Sequence, residues 1–141
     1  MRWLVLICVF SQVTQLATAA DWPQFRGPNC TGVSADNTPL PVDFSDTENV
    51  AWSAALGDGI GSPVVADGRV VTSTMFDDDQ IGLVAFDAAS GQKLWERKWP
   101  IGDIDETHET NSYASTTPAM DADRVYFYFW TLGLVAVDAR T

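Results

Sequence analysis

One phrase occurs twice in this chain: GLVAFDAAS, starting at Gly82, returns as GLVAVDART from Gly133. The match sets Asp138 in the place of Asp87 and Thr141 in the place of Ser90, 51 residues on. A second phrase, SPVVADGRV from Ser62, returns as TPAMDADRV from Thr117, and here Pro63, Arg69 and Val70 shift by 55 residues onto Pro118, Arg124 and Val125. The second copy is therefore shorter in its middle. A partial third copy precedes both, because Trp52 and Leu56 in AWSAAL match Trp95 and Trp99 in LWERKW at an offset of 43. Self-similarity at roughly 40 to 55 residues leaves few architectures open, since each unit must bury a face against its neighbours.

Within each unit the pattern is that of short strands. Leu83, Val84, Ala85 and Phe86 form an apolar run that reads as a buried strand. Asp87, Ala88, Ala89, Ser90 and Gly91 form a turn, with side-chain oxygens for backbone amides and a glycine that tolerates positive φ. Lys93 to Trp99 alternate closely enough for a half-exposed strand. The first unit is predicted to hold strands at 62–66, 69–75, 81–86 and 93–99, and the second at 117–120, 124–130 and 134–137. Asp67-Gly68 predicts a primed hairpin turn. Ala122-Asp123, at the equivalent place, is a poorer turn former. The expected fold class is all-β, a partial β-propeller of about one and three-quarter four-stranded antiparallel blades within a larger ring of roughly seven or eight. A chain of 141 residues cannot close such a ring, so the expectation is an N-terminal fragment of a longer protein.

Ala85, Asp87, Ser90, Gly91 and Trp95 fit the spacing Ala-x-Asp-x-x-Ser/Thr-Gly-x-x-x-Trp, and Ala136, Asp138 and Thr141 begin a second copy. This resembles the tryptophan-docking motif of the pyrroloquinoline-quinone (PQQ)-type β-propeller repeat, found in quinoprotein dehydrogenases and in non-enzymatic outer-membrane assembly factors. The resemblance covers about residues 49–141. It implies that Trp95 packs across to the neighbouring blade while Asp87 and Ser90 hold the turn. It implies two alternative functions: an exported, non-catalytic binding or assembly platform, or a PQQ-dependent dehydrogenase in which Ca²⁺ coordinates the cofactor on the axis. The adjacent cysteines common in the dehydrogenases are not found in these 141 residues. The platform is the expected function, with a protein or small-molecule ligand on the propeller face.

The chain opens with Arg2, an apolar run from Trp3 to Phe10, and Ala17-Thr18-Ala19-Ala20. That is the pattern of a secretory signal peptide cut after Ala19 or Ala20. Ser11, Gln12, Thr14 and Gln15 interrupt the run well short of the ~20 residues a membrane span needs. Residues 1–20 are thus assigned to the signal, 21–48 to an irregular arm, 49–100 to the first blade with a preceding outer strand, and 101–141 to the second blade. An exported destination, periplasmic, extracellular or envelope-associated, follows from the leader.

The chain carries 8 basic and 19 acidic side chains, a formal net charge of -11. Loss of Arg2 with the leader brings this to about -12, a surface that repels nucleic-acid phosphates and favours solubility or a basic partner. Without Cys8, which lies in the leader, Cys30 stands alone, so no internal disulfide is available and packing must supply stability. Six Trp, seven Phe and three Tyr can supply it. In the arm, Trp22 and Phe25 are expected to pack on the propeller body, and WPQFRGPN resembles the start of many exported propellers of this kind. Asn29-Cys30-Thr31 fits the N-glycosylation pattern, meaningful only in a eukaryotic source.

Candidate chemistry is sparse. Gly57, Gly59 and Gly61 resemble a phosphate-cradling loop, but a strand follows them where a helix would be required, so they are read as a turn between blades. Asp77, Asp78 and Asp79 are read as a solvated hairpin tip without the spacing of a Ca²⁺ loop. Asp103, Asp105, Glu106, His108 and Glu109 gather His and carboxylates in one connection and are the best candidates for a metal or ligand contact. Tyr113 to Thr117 lead into the second inner strand, near any functional axial face. A Ser-His-Asp reading of Ser112 or Ser115 with His108 has no motif support. No catalytic residue is assigned.

Overall fold

The computed structural model describes residues 20–77, 79–103 and 108–141. The leader assigned to residues 1–20 lies outside them except for its last residue, as do Asp78, Asp105 and Glu106. The described residues are all-β, with two antiparallel sheets. The first is β1 (Val64–Ala66), β2 (Arg69–Asp77), β3 (Gln80–Asp87) and β4 (Lys93–Pro100), paired in chain order. The second is β5 (Ala119–Met120), β6 (Arg124–Phe129) and β7 (Gly133–Asp138), also in chain order. Up-and-down sheets of this kind, one per repeat, are the blades of a partial propeller.

Register follows from turn chemistry. Asp67 at φ 47° and Gly68 at φ 71° both take the positive values a primed turn demands, and Ala66 pairs with Arg69 directly across it. The second hairpin does without positive φ. The Asp121 carboxylate instead accepts the amides of Asp123 (2.8 Å) and Arg124 (2.7 Å), closing the turn from its side chain.

Strand pairing then sorts residues onto faces. Val71, Ala85 and Trp95 lie abreast across β2, β3 and β4, as do Ser73, Leu83 and Arg97, then Met75, Ile81 and Trp99. This face meets Val125, Phe127 and Phe129 of β6, and together they form the core between the sheets. Trp99 stacks on Phe127 with ring centroids 6.3 Å apart. β1 and β5 lie beside each other, so the two sheets spread from their first strands.

The connection holding Gly57, Gly59 and Gly61 runs between the sheets. The amides of Ile60 and Gly61 both donate to the Ala114 carbonyl at 3.1 Å, and Met75 donates to the Asp58 carbonyl at 2.8 Å. A Cβ on Gly61 would sit 2.7 Å from the Thr116 oxygen, so the segment is glycine-rich because two backbones meet there. Tyr113 to Thr117 supply the other wall: the Ser73 hydroxyl donates to Thr116 O at 2.7 Å.

Residues 50–56 form no strand, and Leu56 is exposed where the internal match to Trp99 would bury it. The reason is local: Ser53, Ala54 and Ala55 offer no large apolar side chain to alternate with it. The arm differs from expectation in one residue. Trp22 is half-buried and exchanges two main-chain hydrogen bonds with Val65, but Phe25 is 59% exposed. The tight turn closed by Gly27 N–H to Gln24 O carries Phe25 away from the sheet edge that Trp22 occupies.

Candidate functional site: a docking ladder between repeats

The Asp87 turn is built from its own side chains. Asp87 Oδ1 accepts the Ser90 amide (2.8 Å) and the Ser90 hydroxyl (2.6 Å), while Gly91, at φ 72°, returns its amide to Asp87 O. These donors, the Ser90 hydroxyl first and its amide next, hold the Asp87 carboxyl below the usual aspartate range. Asp121 is lowered too, chiefly by the amides of Asp123 and Arg124.

Depressed folded-state values mean that each carboxylate adds stability at pH above the ordinary aspartate range and loses it as pH falls through the depressed value. Asp87→Asn is therefore expected to flatten part of the acid-side decline in stability while lowering the plateau at neutral pH. Urea midpoints measured across the acid range for parent and variant check this. An unchanged acid-side slope would refute the assignment to Asp87.

This turn presents Ala88, and Ala88 is the point where one repeat grips another. Its amide donates to Gly68 O (2.9 Å) in the hairpin turn of its own sheet, and its carbonyl accepts Trp52 Nε1–H at 2.9 Å. The Trp52 indole lies on Gly91, where any Cβ would fall about 2.5 Å from the ring. One repeat later the same fixture is built again. The Ala139 amide donates to Asp123 O (2.8 Å), and the Ala139 carbonyl accepts Trp95 Nε1–H at 2.9 Å. Trp95 is 7% exposed and Ala139 fully buried, so this second bond is dry. The tryptophan of each unit thus reaches the alanine after the aspartate of the next.

Of the expected docking residues, Ala85, Asp87, Ser90, Gly91 and Trp95 surround the first fixture or extend to the second. Ala136, Asp138 and Thr141 are exposed, and Asp138 Oδ1 accepts the Arg140 amide at 2.7 Å. Ala88, Ala139 and the role of Trp52 were not singled out from the sequence. Their signal was present, since Ala follows Asp in both copies of the phrase and Trp52 aligns with Trp95.

The acidic connection does not assemble a ligand set in the described residues. Asp103, His108 and Glu109 are exposed, and His108 Nδ1 stands 2.9 Å from the Thr110 hydroxyl. Among the described residues no three or more His, Cys, Asp or Glu are grouped to hold a metal ion. An open depression of about 380 Å³ lies beside Asp58, Phe76 and Asp77. Cys30 is a free, exposed thiol.

An anionic tricarboxylic quinone such as PQQ would need converging cations, and five of the described cations are engaged elsewhere. Arg69 pairs with Asp67, Lys93 and Lys98 with Glu96, and Arg140 with Asp123, while Arg97 lies over the Trp95 ring. These residues do not fit that group. No helix among the described residues is long and apolar enough to cross a membrane.

Sheets repeated in chain order and tied by a tryptophan ladder define a propeller-repeat protein of the quinoprotein-like class. Residues 33–141 match the family model described as outer membrane protein assembly factor BamB, and the chain belongs to that family. No curated protein matches it.

Proposed function

We propose that the chain works as an exported, non-catalytic propeller scaffold, a binding or assembly platform for a protein partner in the cell envelope. The observation that carries this reading is the ladder itself. Trp52, Ala88, Gly91, Trp95 and Ala139 are used on one another, holding repeat to repeat, and leave no reacting group among them. The family description, an outer membrane assembly factor, supports a role in protein assembly. The acidic surface supports a partner with a basic contact face.

Two measurements test the proposal. The protein as expressed in cells is expected in the exported fraction with its N-terminus at Ala20 or Asp21, read by N-terminal sequencing; retention of Met1 in the cytoplasm would remove the export claim. Purified protein given PQQ and Ca²⁺ is expected to show no bound quinone absorbance and no dye reduction with alcohols or sugars. Turnover there would replace the scaffold reading with a dehydrogenase.

A further inference from the structure

The inner edges of the two sheets are occupied by the arm. Trp22 N–H donates to Val65 O at 2.7 Å and Val65 N–H to Trp22 O at 2.9 Å, an antiparallel bridge on the free edge of β1. One residue on, Pro23 O accepts Met120 N–H of β5 at 2.8 Å. Two consecutive residues therefore pair with two different sheets, and proline, which has no amide, falls at a place that uses only its carbonyl. An edge strand left bare is a template for any extended chain. Here β1 and β5 make one composite template, read entirely through main-chain groups.

The strap is held lightly and under strain. Beyond the three main-chain hydrogen bonds it is steadied by one side-chain contact to the first sheet, the Asp67 amide donating to Asp21 Oδ1 at 3.3 Å in an exposed position, and by its own turn, in which the Trp22 ring rests on Gly27. Arg26 (φ 61°), Asn29 (φ 57°) and Cys30 (φ 56°) all sit in the left-handed region without being glycine. Such conformations persist only while their surroundings impose them, and they relax on release. A segment with few buried contacts opens without the sheets beneath it unfolding.

We propose that the adjoining edges of β1 and β5 form a binding site for an extended peptide carrying an aromatic residue followed by proline, filled in cis by residues 21–23 and open to a competing peptide when the arm lifts. Strand addition supplies the affinity through the backbone, and the aromatic-proline pair sets register and direction. The proposal concerns an edge that the ladder does not use, so it stands or falls apart from the scaffold reading.

The test uses the full chain, its Gly27→Ala and Trp22→Ala variants, and a labelled synthetic peptide of residues 20–32. Gly27→Ala places a Cβ against the Trp22 ring at positive φ and loosens the arm without touching either sheet. Both variants are expected to bind the peptide saturably and at least about tenfold more tightly than the parent, whose site is filled. Val65 and Met120 amides are expected to exchange roughly tenfold faster in the variants and to slow again with peptide, while the Val71 and Ala85 amides stay protected. Failure of both variants to bind, equal binding by the parent, or equal binding of a peptide lacking Trp22 overturns the proposal. Should a variant lose the sheets themselves, exchange in the parent decides. Val65 and Met120 opening together ahead of Val71 and Ala85 supports a separable strap, and a single common rate overturns it.

Discussion

Trp95→Ala is expected to cost about 3–5 kcal/mol and to release the second sheet from the first. The indole is nearly fully buried, spans the gap between the sheets, and ends on the Ala139 carbonyl, which has no exposure to water. Trp95→Phe separates the two contributions. It keeps most of the apolar area but orphans a buried acceptor, for a loss of roughly 1–3 kcal/mol. The matching change Trp52→Phe is expected to cost less, because the Ala88 site is only part-buried and water can replace the indole donor. Denaturant unfolding of the three variants checks the order. Equal losses for Trp52→Phe and Trp95→Phe would mean that the hydrogen bond at Ala139 does not matter.

Gly82→Val is expected to break the pairing of β3 with β4. A Cβ at this position would run into the Arg97 carbonyl on the neighbouring strand, a backbone atom that cannot rotate aside. The Phe76 ring also covers this glycine, 2.9 Å from where the Cβ would stand, and Lys98 Nζ lies 4.4 Å over that ring. Overpacking of this sort costs about 1–3 kcal/mol when side chains can yield, and more is expected here because a strand must move. Circular dichroism and amide exchange along β4 read the effect. Gly133→Val, at the repeated position, is the control. Nothing lies within 4 Å of its Cβ site, so its cost comes from φ 75° alone.

The two glycines show how far the sequence could be read. They occupy the same letter of a repeated phrase; the expected strand at 81–86 covered Gly82, whereas the one at 134–137 began just after Gly133, which the structure includes in β7. One is there for a close approach, the other for a left-handed backbone. Repetition reports that a unit recurs; it does not report which contact each residue makes. The strands themselves were legible because their signals are local. Alternating side chains and an Asp-Gly or Asp-x-x-Ser-Gly turn specify a hairpin within about twenty residues. β5 is shorter than expected, starting only at Ala119, directly after Pro118, which has no amide to give a ladder; Thr117 lies outside the sheet, its Oγ1 accepting the Ser62 amide at 3.0 Å.

The ladder was half legible. Trp95 and the Asp87 turn stood out as a motif, but the acceptors did not, because a backbone carbonyl has no letter of its own. Trp52 finds Ala88 across 36 residues and Trp95 finds Ala139 across 44. The acidic connection looked the most chemical stretch on paper. In three dimensions Asp103, His108 and Glu109 are solvated side chains, since a loop rich in carboxylates gains more from water than from gathering like charges.

What the sequence determined alone was the repeat, its strands, its turns and hence the all-β class, for each of these is fixed by neighbours along the chain. Tertiary structure alone decided which carbonyl each indole reaches, that Phe25 faces water while Trp22 does not, and that the arm ties two sheets through their inner edges. Those outcomes depend on main-chain groups that every residue carries. Only the approach of distant segments selects among them.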